Sequence, residues 1–175
     1  MSTCPMCGAE FIEGTDDCEQ CGNSLTDTFS PRETISEAEG LLIHRIRELK
    51  PAKPFCVSPD TPTGKVLRTI SEQRIGCALV TDQQQHLLGI FSERDALMRL
   101  SVDYRDALDK PISDFMTPEP HTLRAKDRIV FAVQRMDLGG YRHVPIVDND
   151  GKAVGIVSVR DILSYMTENL SDDTE

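Results

Sequence analysis

Gly89-Ile90-Phe91-Ser92-Glu93-Arg94-Asp95 occurs in near-copy 66 positions later as Gly155-Ile156-Val157-Ser158-Val159-Arg160-Asp161, with Gly, Ile, Ser, Arg and Asp in the same order. The offset holds without a gap outside the copies. It carries Asp82 onto Asp148, Leu97 onto Leu163, Val80 onto Ile146, Ile75 onto Tyr141, Pro54 onto Pro120 and Ile46 onto Ile112. A gapless offset of this length marks a duplicated supersecondary unit, and it decides the fold class before any single element is assigned.

Each copy reads strand, helix, strand, strand, helix. In the first, Phe55–Val57 is a short strand and Thr61-Pro62 opens a helix to about Arg74. Gly76–Thr81 and Leu87–Phe91 are strands about a turn at Asp82–His86, and Ser92 opens the last helix. In the second, the strand is His121–Leu123 and the helix runs from Asp127 to Leu138, stopped by Gly139-Gly140. Val144–Val147 and Ala153–Val157 flank the turn Asp148-Asn149-Asp150-Gly151, and a helix starts at Ser158. Three short strands bury little by themselves. The expected architecture is α/β, with two β-α-β-β-α repeats packed face to face about a pseudo-twofold.

The chain has 175 residues, room for one ordinary domain and a small appendage. No apolar run approaches the ~18 residues of a membrane span. No basic n-region with an apolar h-region stands at the N-terminus, so the expected location is the cytoplasm, where clustered cysteines imply metal rather than disulfides. A formal net charge of −10 disfavours polyanion binding, and aromatics at 5% with no Trp disfavour base stacking.

Cys4-Pro5-Met6-Cys7-Gly8 and Cys18-Glu19-Gln20-Cys21-Gly22 are two Cys-x-x-Cys-Gly knuckles. A two-residue spacer lets both thiolates of one knuckle reach one ion, and the following Gly permits the turn beneath it. Cys4, Cys7, Cys18 and Cys21 together close a tetrahedral structural Zn²⁺ site. So short a segment has little core and is expected to fold on metal binding. The motif resembles a short zinc ribbon over residues 1–29. Rubredoxins hold iron with similar knuckles, but with a longer insert than the ten residues here and with several aromatics where this segment has Phe11. Zinc is therefore expected over iron. No Lys or Arg precedes Arg32, whereas Glu10, Glu13, Asp16, Asp17, Glu19 and Asp27 are acidic, so the ribbon is expected to dock a protein rather than nucleic acid. Ser30-Pro31-Arg32-Glu33 reads as a helix start, and Ile35, Ala38, Leu42, Ile46 and Leu49 form the stripe of a connecting helix over 30–50.

A β-α-β-β-α repeat ending in Gly-h-h-Ser-x-x-Asp resembles a CBS domain, and the tandem pair resembles a Bateman module. Arg142-His143-Val144-Pro145-Ile146-Val147-Asp148 is also typical of that family's second strand. The resemblance implies repeats over 51–106 and 107–168, an acidic tail over 169–175, and a homodimer of stacked pairs. Outer helix stripes such as Ile129-Val133-Met136 and Leu97-Leu100 are the candidate contacts. It implies a non-catalytic regulator that binds AMP, ADP, ATP or S-adenosylmethionine between repeats and signals to a protein partner.

As residues, Ser92 with Asp95 and Ser158 with Asp161 are helix capping boxes. The same geometry offers N–H donors and a partial positive charge to phosphate, with a carboxylate placed for ribose hydroxyls. Carried over from the family, one site would use Ser92, Asp95, Thr117, Thr122, Leu123, Tyr141 and Arg142. The other would use Ser158, Asp161, Cys56, Val57, Ile75, Gly76, Cys77 and His143. Thr117 and Arg142 align with Pro51 and Gly76, so the Asp95 site is expected to be the tighter.

No P-loop or dinucleotide fingerprint occurs, and His44, His86, His121 and His143 sit in different elements, so no enzyme is expected. The alternative function is a structural adaptor with unoccupied clefts whose ribbon docks a partner. Metal-replete protein should be colourless and carry one zinc per chain by native mass spectrometry; a visible absorption band would establish iron instead.

Overall fold

The computed structural model describes residues 2–4, 9–11, 18–20, 40, 44–100 and 104–170. The chain divides into two compact units. One comprises Met1–Pro51, Ala125–Val144 and Val157–Glu175, and the other Ala52–Arg124 and Pro145–Ile156. No helix among the described residues is long and apolar enough to cross a membrane.

At the N-terminus β1 (Ser2–Thr3) pairs antiparallel with β2 (Glu10–Phe11), and the Cys4 N–H donates to the Ala9 carbonyl at 2.7 Å. Cys4 and, further on, Cys18 are buried. Cys7 and Cys21 lie outside the described residues.

The unit of Ala52–Arg124 and Pro145–Ile156 begins with β3 (Cys56–Val57) and α1 (Thr63–Gln73), followed by β4 (Cys77–Thr81), β5 (Leu87–Ser92) and α2 (Glu93–Arg99). A short helix α3 (Tyr104–Ala107) and β6 (Thr117–Pro118) complete its first stretch. Helix α1 forms where Pro62 fixes the chain's entry and Val66 and Ile70, one turn apart, share a buried face. It ends at Arg74, which takes the left-handed conformation at φ 54° and donates its N–H to the carbonyls of Ile70 and Ser71. Strand β4 is buried along its whole length, as an inner strand covered on both faces must be. Val66, Ile70, Ala78, Val80, Phe91, Leu100, Ala107 and Ile112 make the core.

The sheet order is β3-β4-β5-β6, with β3 parallel to β4 and the remaining pairs antiparallel. A fourth strand joins the three expected because Gly89 and Ile90 of β5 pair with Pro118 and Thr117. Gly89 lacks a side chain for this reason: a Cβ there would stand 2.4 Å from Met116 Sδ and 3.0 Å from the Thr117 carbonyl oxygen. Strand β7 (His143–Val147) pairs with β8 (Ala153–Ser158). Ala52 exchanges two backbone hydrogen bonds with Ile156 of β8, at 3.1 and 3.0 Å. The segment leading into each repeat thus borders the last strand of the other repeat. The expected strand His121–Leu123 contracts to one parallel bridge, in which the Leu123 N–H donates to the Pro145 carbonyl at 3.1 Å and its carbonyl accepts from Val147 at 2.9 Å.

Both hairpin turns use one device, as the offset implies. Asp82 Oδ1 accepts the N–H groups of Gln84 and His86, and Asp148 Oδ1 accepts those of Asp150 and Lys152, at 2.8–2.9 Å. The hydrogen bond from the His86 ring is the main cause that holds the Asp82 carboxyl below its usual range. The turns also pair with each other, through Leu87 N–H to the Gly151 carbonyl and Ala153 N–H to the Gln85 carbonyl.

In the other unit, α4 (Ile129–Gly139) and α5 (Val159–Leu170) are the long helices. Gly140 ends α4 in the left-handed conformation at φ 62°, the stop expected of Gly139-Gly140. The connecting helix expected over 30–50 does not continue to its end. Gly40 is helical, but His44 is a bend, Arg45 a bridge and Ile46–Leu49 a 3₁₀ turn. Tertiary hydrogen bonds take over its backbone: Ile46 and Arg47 donate to the carbonyls of Asp127 and Ala125, and the His44 carbonyl accepts from Ile129. Ser30, Pro31, Ile35, Ala38 and Leu42 lie outside the described residues. Of the two expected outer stripes, Ile129 and Met136 of the first are buried, and the second is split between buried Leu100 and Leu97, which is 77% exposed.

Phe91 is fully buried at the centre of its core. Phe91→Ala should lower unfolding stability by about 3–5 kcal/mol in urea denaturation, whereas the exposed Glu72→Ala should change it by less than ~0.5 kcal/mol.

Candidate functional site

Both Ser-x-x-Asp copies form reciprocal caps. Ser92 donates its N–H and its hydroxyl to Asp95 Oδ2 at 2.9 and 2.6 Å, and Ser92 Oγ accepts the Asp95 N–H at 3.3 Å. Ser158 repeats the arrangement with Asp161 Oδ2 at 2.6 and 2.8 Å and with the Asp161 N–H at 3.3 Å. The extended conformation of the serine at the end of a strand and the carboxylate one turn into the helix are what the sequence motif encodes.

The copies part at the second carboxylate oxygen. Asp95 Oδ1 accepts the Thr117 hydroxyl at 3.2 Å and pairs with Arg99 Nη2 at 3.4 Å. Arg99 is itself fixed. It donates to the carbonyls of Phe115 and Met116 at 2.9 and 2.6 Å and to Thr117 Oγ1 at 2.9 Å. A carboxylate offers about four acceptor positions; at Asp95 three take hydrogen bonds, from Ser92 N–H, Ser92 Oγ and Thr117 Oγ1, and Arg99 adds an ion pair. Asp161 Oδ1 has no hydrogen-bond partner among the described residues. The residues aligned with Thr117 and Arg99 are Pro51 and Tyr165. Pro51 has no donor, and the Tyr165 hydroxyl is engaged elsewhere, with Glu48 Oε2 at 3.3 Å and His44 Nδ1 at 2.6 Å.

Ser92, Asp95 and Thr117 are therefore brought together, all within one unit. Thr122 and Leu123 belong to the same unit, Tyr141 and Arg142 to the other. Leu123 is fully buried and both its backbone groups are paired within the fold. Of the second set, Ser158, Asp161 and His143 lie in one unit and Cys56, Val57, Ile75, Gly76 and Cys77 in the other. Glu93 N–H donates to the Gly76 carbonyl and Val159 N–H to the Arg142 carbonyl, both at 3.1 Å, so the start of each second strand is tied to the adjoining cap. Arg99 is the one contact that motif reading missed; its signal was the i, i+4 spacing from Asp95 on α2.

Cys77 is 7% exposed, and burial, then the charges of Asp95 and Glu93, push its thiol up to about 12. Burial also raises the half-buried Cys56 thiol, against the opposing charge of Lys53. Cys77 is therefore a poor nucleophile near neutrality. Among the described residues, no three His, Cys, Asp or Glu side chains gather as a metal-binding group.

The duplicated caps, the strand-helix-strand-strand-helix order and the mixed sheet define a tandem-repeat α/β module. The chain belongs to the CBS domain family, whose model matches residues 46–102 and 112–168. It is 30% identical over 118 residues to an uncharacterised 17.7 kDa protein of Acidianus ambivalens, covering 67% of this chain and 70% of that one. It is 31% identical over 112 residues to inosine-5'-monophosphate dehydrogenase of Aquifex aeolicus, covering 63% of this chain but only 22% of that enzyme. Among solved structures, it resembles a CBS domain protein of Pyrobaculum aerophilum complexed with AMP. That likeness has TM-score 0.62 and 28% identity, over 71% of this chain and 99% of that one.

Cys77 should be alkylated by iodoacetamide at pH 8 roughly 100-fold more slowly than an exposed thiol, as read by peptide mass spectrometry on native protein. Labelling at the rate of an exposed thiol would contradict the burial.

Proposed function

We propose that this protein is a non-catalytic regulator that binds an adenosine-containing ligand, AMP above all, and passes the bound state to a protein partner. The observation that carries this reading is Asp161 Oδ1. It is an acceptor oxygen with no partner among the described residues, on a carboxylate whose other oxygen is fixed by the Ser158 N–H and hydroxyl. Two adjacent ribose hydroxyls need two acceptor positions on one rigid carboxylate, and Asp161 has two to offer. The N-terminus of α5 adds a partial positive charge for phosphate, although its Val159 and Asp161 N–H groups are already bonded to the Arg142 carbonyl and Ser158 Oγ. Family membership and the AMP held by the Pyrobaculum aerophilum protein support the same ligand class.

The geometry favours Asp161 over Asp95, the reverse of the order expected from Thr117 and Arg142. The Thr117 hydroxyl that should have strengthened the Asp95 site already satisfies that carboxylate, together with Arg99. A ligand would have to displace both before Asp95 could hold a ribose.

Cys4, Cys7, Cys18 and Cys21 are proposed to hold one structural Zn²⁺. The buried Cys4 and the buried Cys18 suit a thiolate donor set. The acidic ribbon would then be the element offered to the partner, with the repeats forming a homodimer.

Calorimetric titration with AMP should show saturable binding that Asp161→Ala weakens more than ~10-fold and Asp95→Ala changes less than ~3-fold. Both variants lose a helix cap worth ~1 kcal/mol, so equal thermal shifts serve as the internal control. No binding of AMP or adenosine by folded wild-type protein would leave both motifs as caps and the adaptor reading in force.

A further inference from the structure

Residues 44–49 join the N-terminal segment to the repeats, and their backbone has two ways of being satisfied. Leu42, Ile46 and Leu49 recur at helical spacing and Gly40 is helical. A helix continued through this stretch would meet the Ile46 and Arg47 N–H groups with carbonyls four residues back. In the fold the Ile46 N–H donates instead to the Asp127 carbonyl at 2.8 Å and the Arg47 N–H to the Ala125 carbonyl at 3.0 Å, and Ile46–Leu49 form a 3₁₀ turn. These donors are satisfied in either arrangement, so backbone hydrogen bonding barely separates the two and side chains decide.

Two side chains hold the docked turn. Ile46 is fully buried. Glu48 Oε1 accepts the Arg45 N–H at 3.0 Å, which is the main cause that holds the Glu48 carboxyl below its usual range. Glu48 Oε2 accepts the Tyr165 hydroxyl of α5 at 3.3 Å. His44 Nδ1 shares a 2.6 Å hydrogen bond with the same hydroxyl and lies 3.4 Å from Glu48 Oε2. Backbone strain opposes the docked turn. Lys50 closes it in the left-handed conformation at φ 50°, directly before Pro51, where a side chain disfavours that conformation and the proline favours extended backbone. All of these residues lie in one unit, with α4 and α5.

The position of Tyr165 connects this turn to the open carboxylate. At the 66-residue offset Tyr165 stands where Arg99 stands in the first repeat. From that place, one helical turn beyond the motif, Arg99 Nη2 comes within 3.4 Å of Asp95 Oδ1. Tyr165 has the same spacing from Asp161, whose Oδ1 has no hydrogen-bond partner among the described residues. One hydroxyl proton thus has two carboxylates to choose between, Glu48 across the turn and Asp161 along the helix.

We infer that residues 44–49 are a conformational latch, closed while the Tyr165 hydroxyl is on Glu48 and opened when it turns to Asp161. A ligand that occupies Asp161 removes the second choice and so holds the latch closed. Occupancy of the site is thereby carried to the segment that leads from the N-terminal cysteines. The ligand arm of this inference rests on the adenosine reading above, and it adds to that reading the route by which the bound state leaves the site.

The test is hydrogen exchange of peptides covering residues 44–49, read by mass spectrometry on zinc-replete full-length protein with and without AMP. In wild-type protein AMP should slow this exchange about 5-fold. Tyr165→Phe keeps the ring that meets His44 edge-on at a 6.0 Å centroid distance and removes only the hydroxyl. It should speed the exchange about 5-fold without AMP and abolish the AMP effect, with AMP affinity within ~3-fold of wild type. Lys50→Gly relieves the left-handed strain and should slow the exchange about 5-fold. Unchanged exchange over α1 shows that the variants are folded. Exchange over 44–49 that neither substitution moves, or an AMP effect that survives Tyr165→Phe, would overturn the latch while the adenosine reading stands. Wild-type protein that binds no AMP would overturn the adenosine reading, and the two substitutions without AMP would then decide the latch alone.

Discussion

The pairing of Thr117 and Pro118 with β5 sets what the first capping box has left to offer. Those two residues lead into the second repeat yet border the last strand of the first. Their crossing requires a residue without a side chain at Gly89, and it delivers the Thr117 hydroxyl to Asp95. Arg99, held by the Phe115 and Met116 carbonyls of the same crossing segment, sets its charge beside the same carboxylate oxygen. In the other half of the exchange Ala52 pairs with Ile156, but the residue in the place of Thr117 is Pro51 and no hydroxyl arrives. One backbone device, used twice, therefore leaves one carboxylate bonded at both oxygens and the other open.

This separates two uses of the same motif. As a cap, Ser-x-x-Asp needs only one carboxylate oxygen, and both copies satisfy that need with matching geometry. As a ribose acceptor it needs the second oxygen as well. An exposed ion pair such as Arg99–Asp95 contributes little to stability by itself, with Arg99 41% exposed. Its weight here is in occupancy, because a guanidinium anchored by two carbonyls stays in place without help from the carboxylate. The acidic net charge is no obstacle to a phosphorylated ligand on this view. Local cations and helix N-termini set the potential within a Debye length, and net charge acts mainly beyond it.

Much of the fold was legible because its signals are local. The 66-residue offset, the Asp-headed turns, the Ser caps and the glycine stop after α4 are all short-range chemistry, and apart from the strand at His121–Leu123, which contracts to a bridge, the repeat elements they predicted stand within a few residues of their expected bounds. What escaped was long-range. The connecting segment reads as helix to Leu49 by its stripe, but the carbonyls of Ala125 and Asp127 outbid the helix for the N–H groups of Arg47 and Ile46. Ile129 and Met136 read as a surface stripe because periodicity reports an apolar face without saying what covers it. Strand β6 could not be seen at all. Two residues containing a proline carry no strand pattern, and only the partner β5 makes them one.

The candidate site was legible to the same depth. Ser92, Asp95, Ser158 and Asp161 follow from the motif, and Thr117 from the family's pattern. Their ranking did not follow, because it depends on counting acceptor positions, and a sequence lists donors without saying where they are spent. Thr117 reads as an asset to the Asp95 copy, and in the fold its hydroxyl is bonded to Asp95 Oδ1. A tandem duplication explains why both outcomes coexist. Once two caps exist, each repeat needs its own for folding, but capping leaves the second carboxylate oxygen of each free to diverge. Position 99 is then free to become an arginine that locks its carboxylate, while position 165 is free to become the tyrosine that ties α5 to His44 and Glu48. The divergence falls on residues outside the motif, which keeps the cap constant while the chemistry available to a ligand changes.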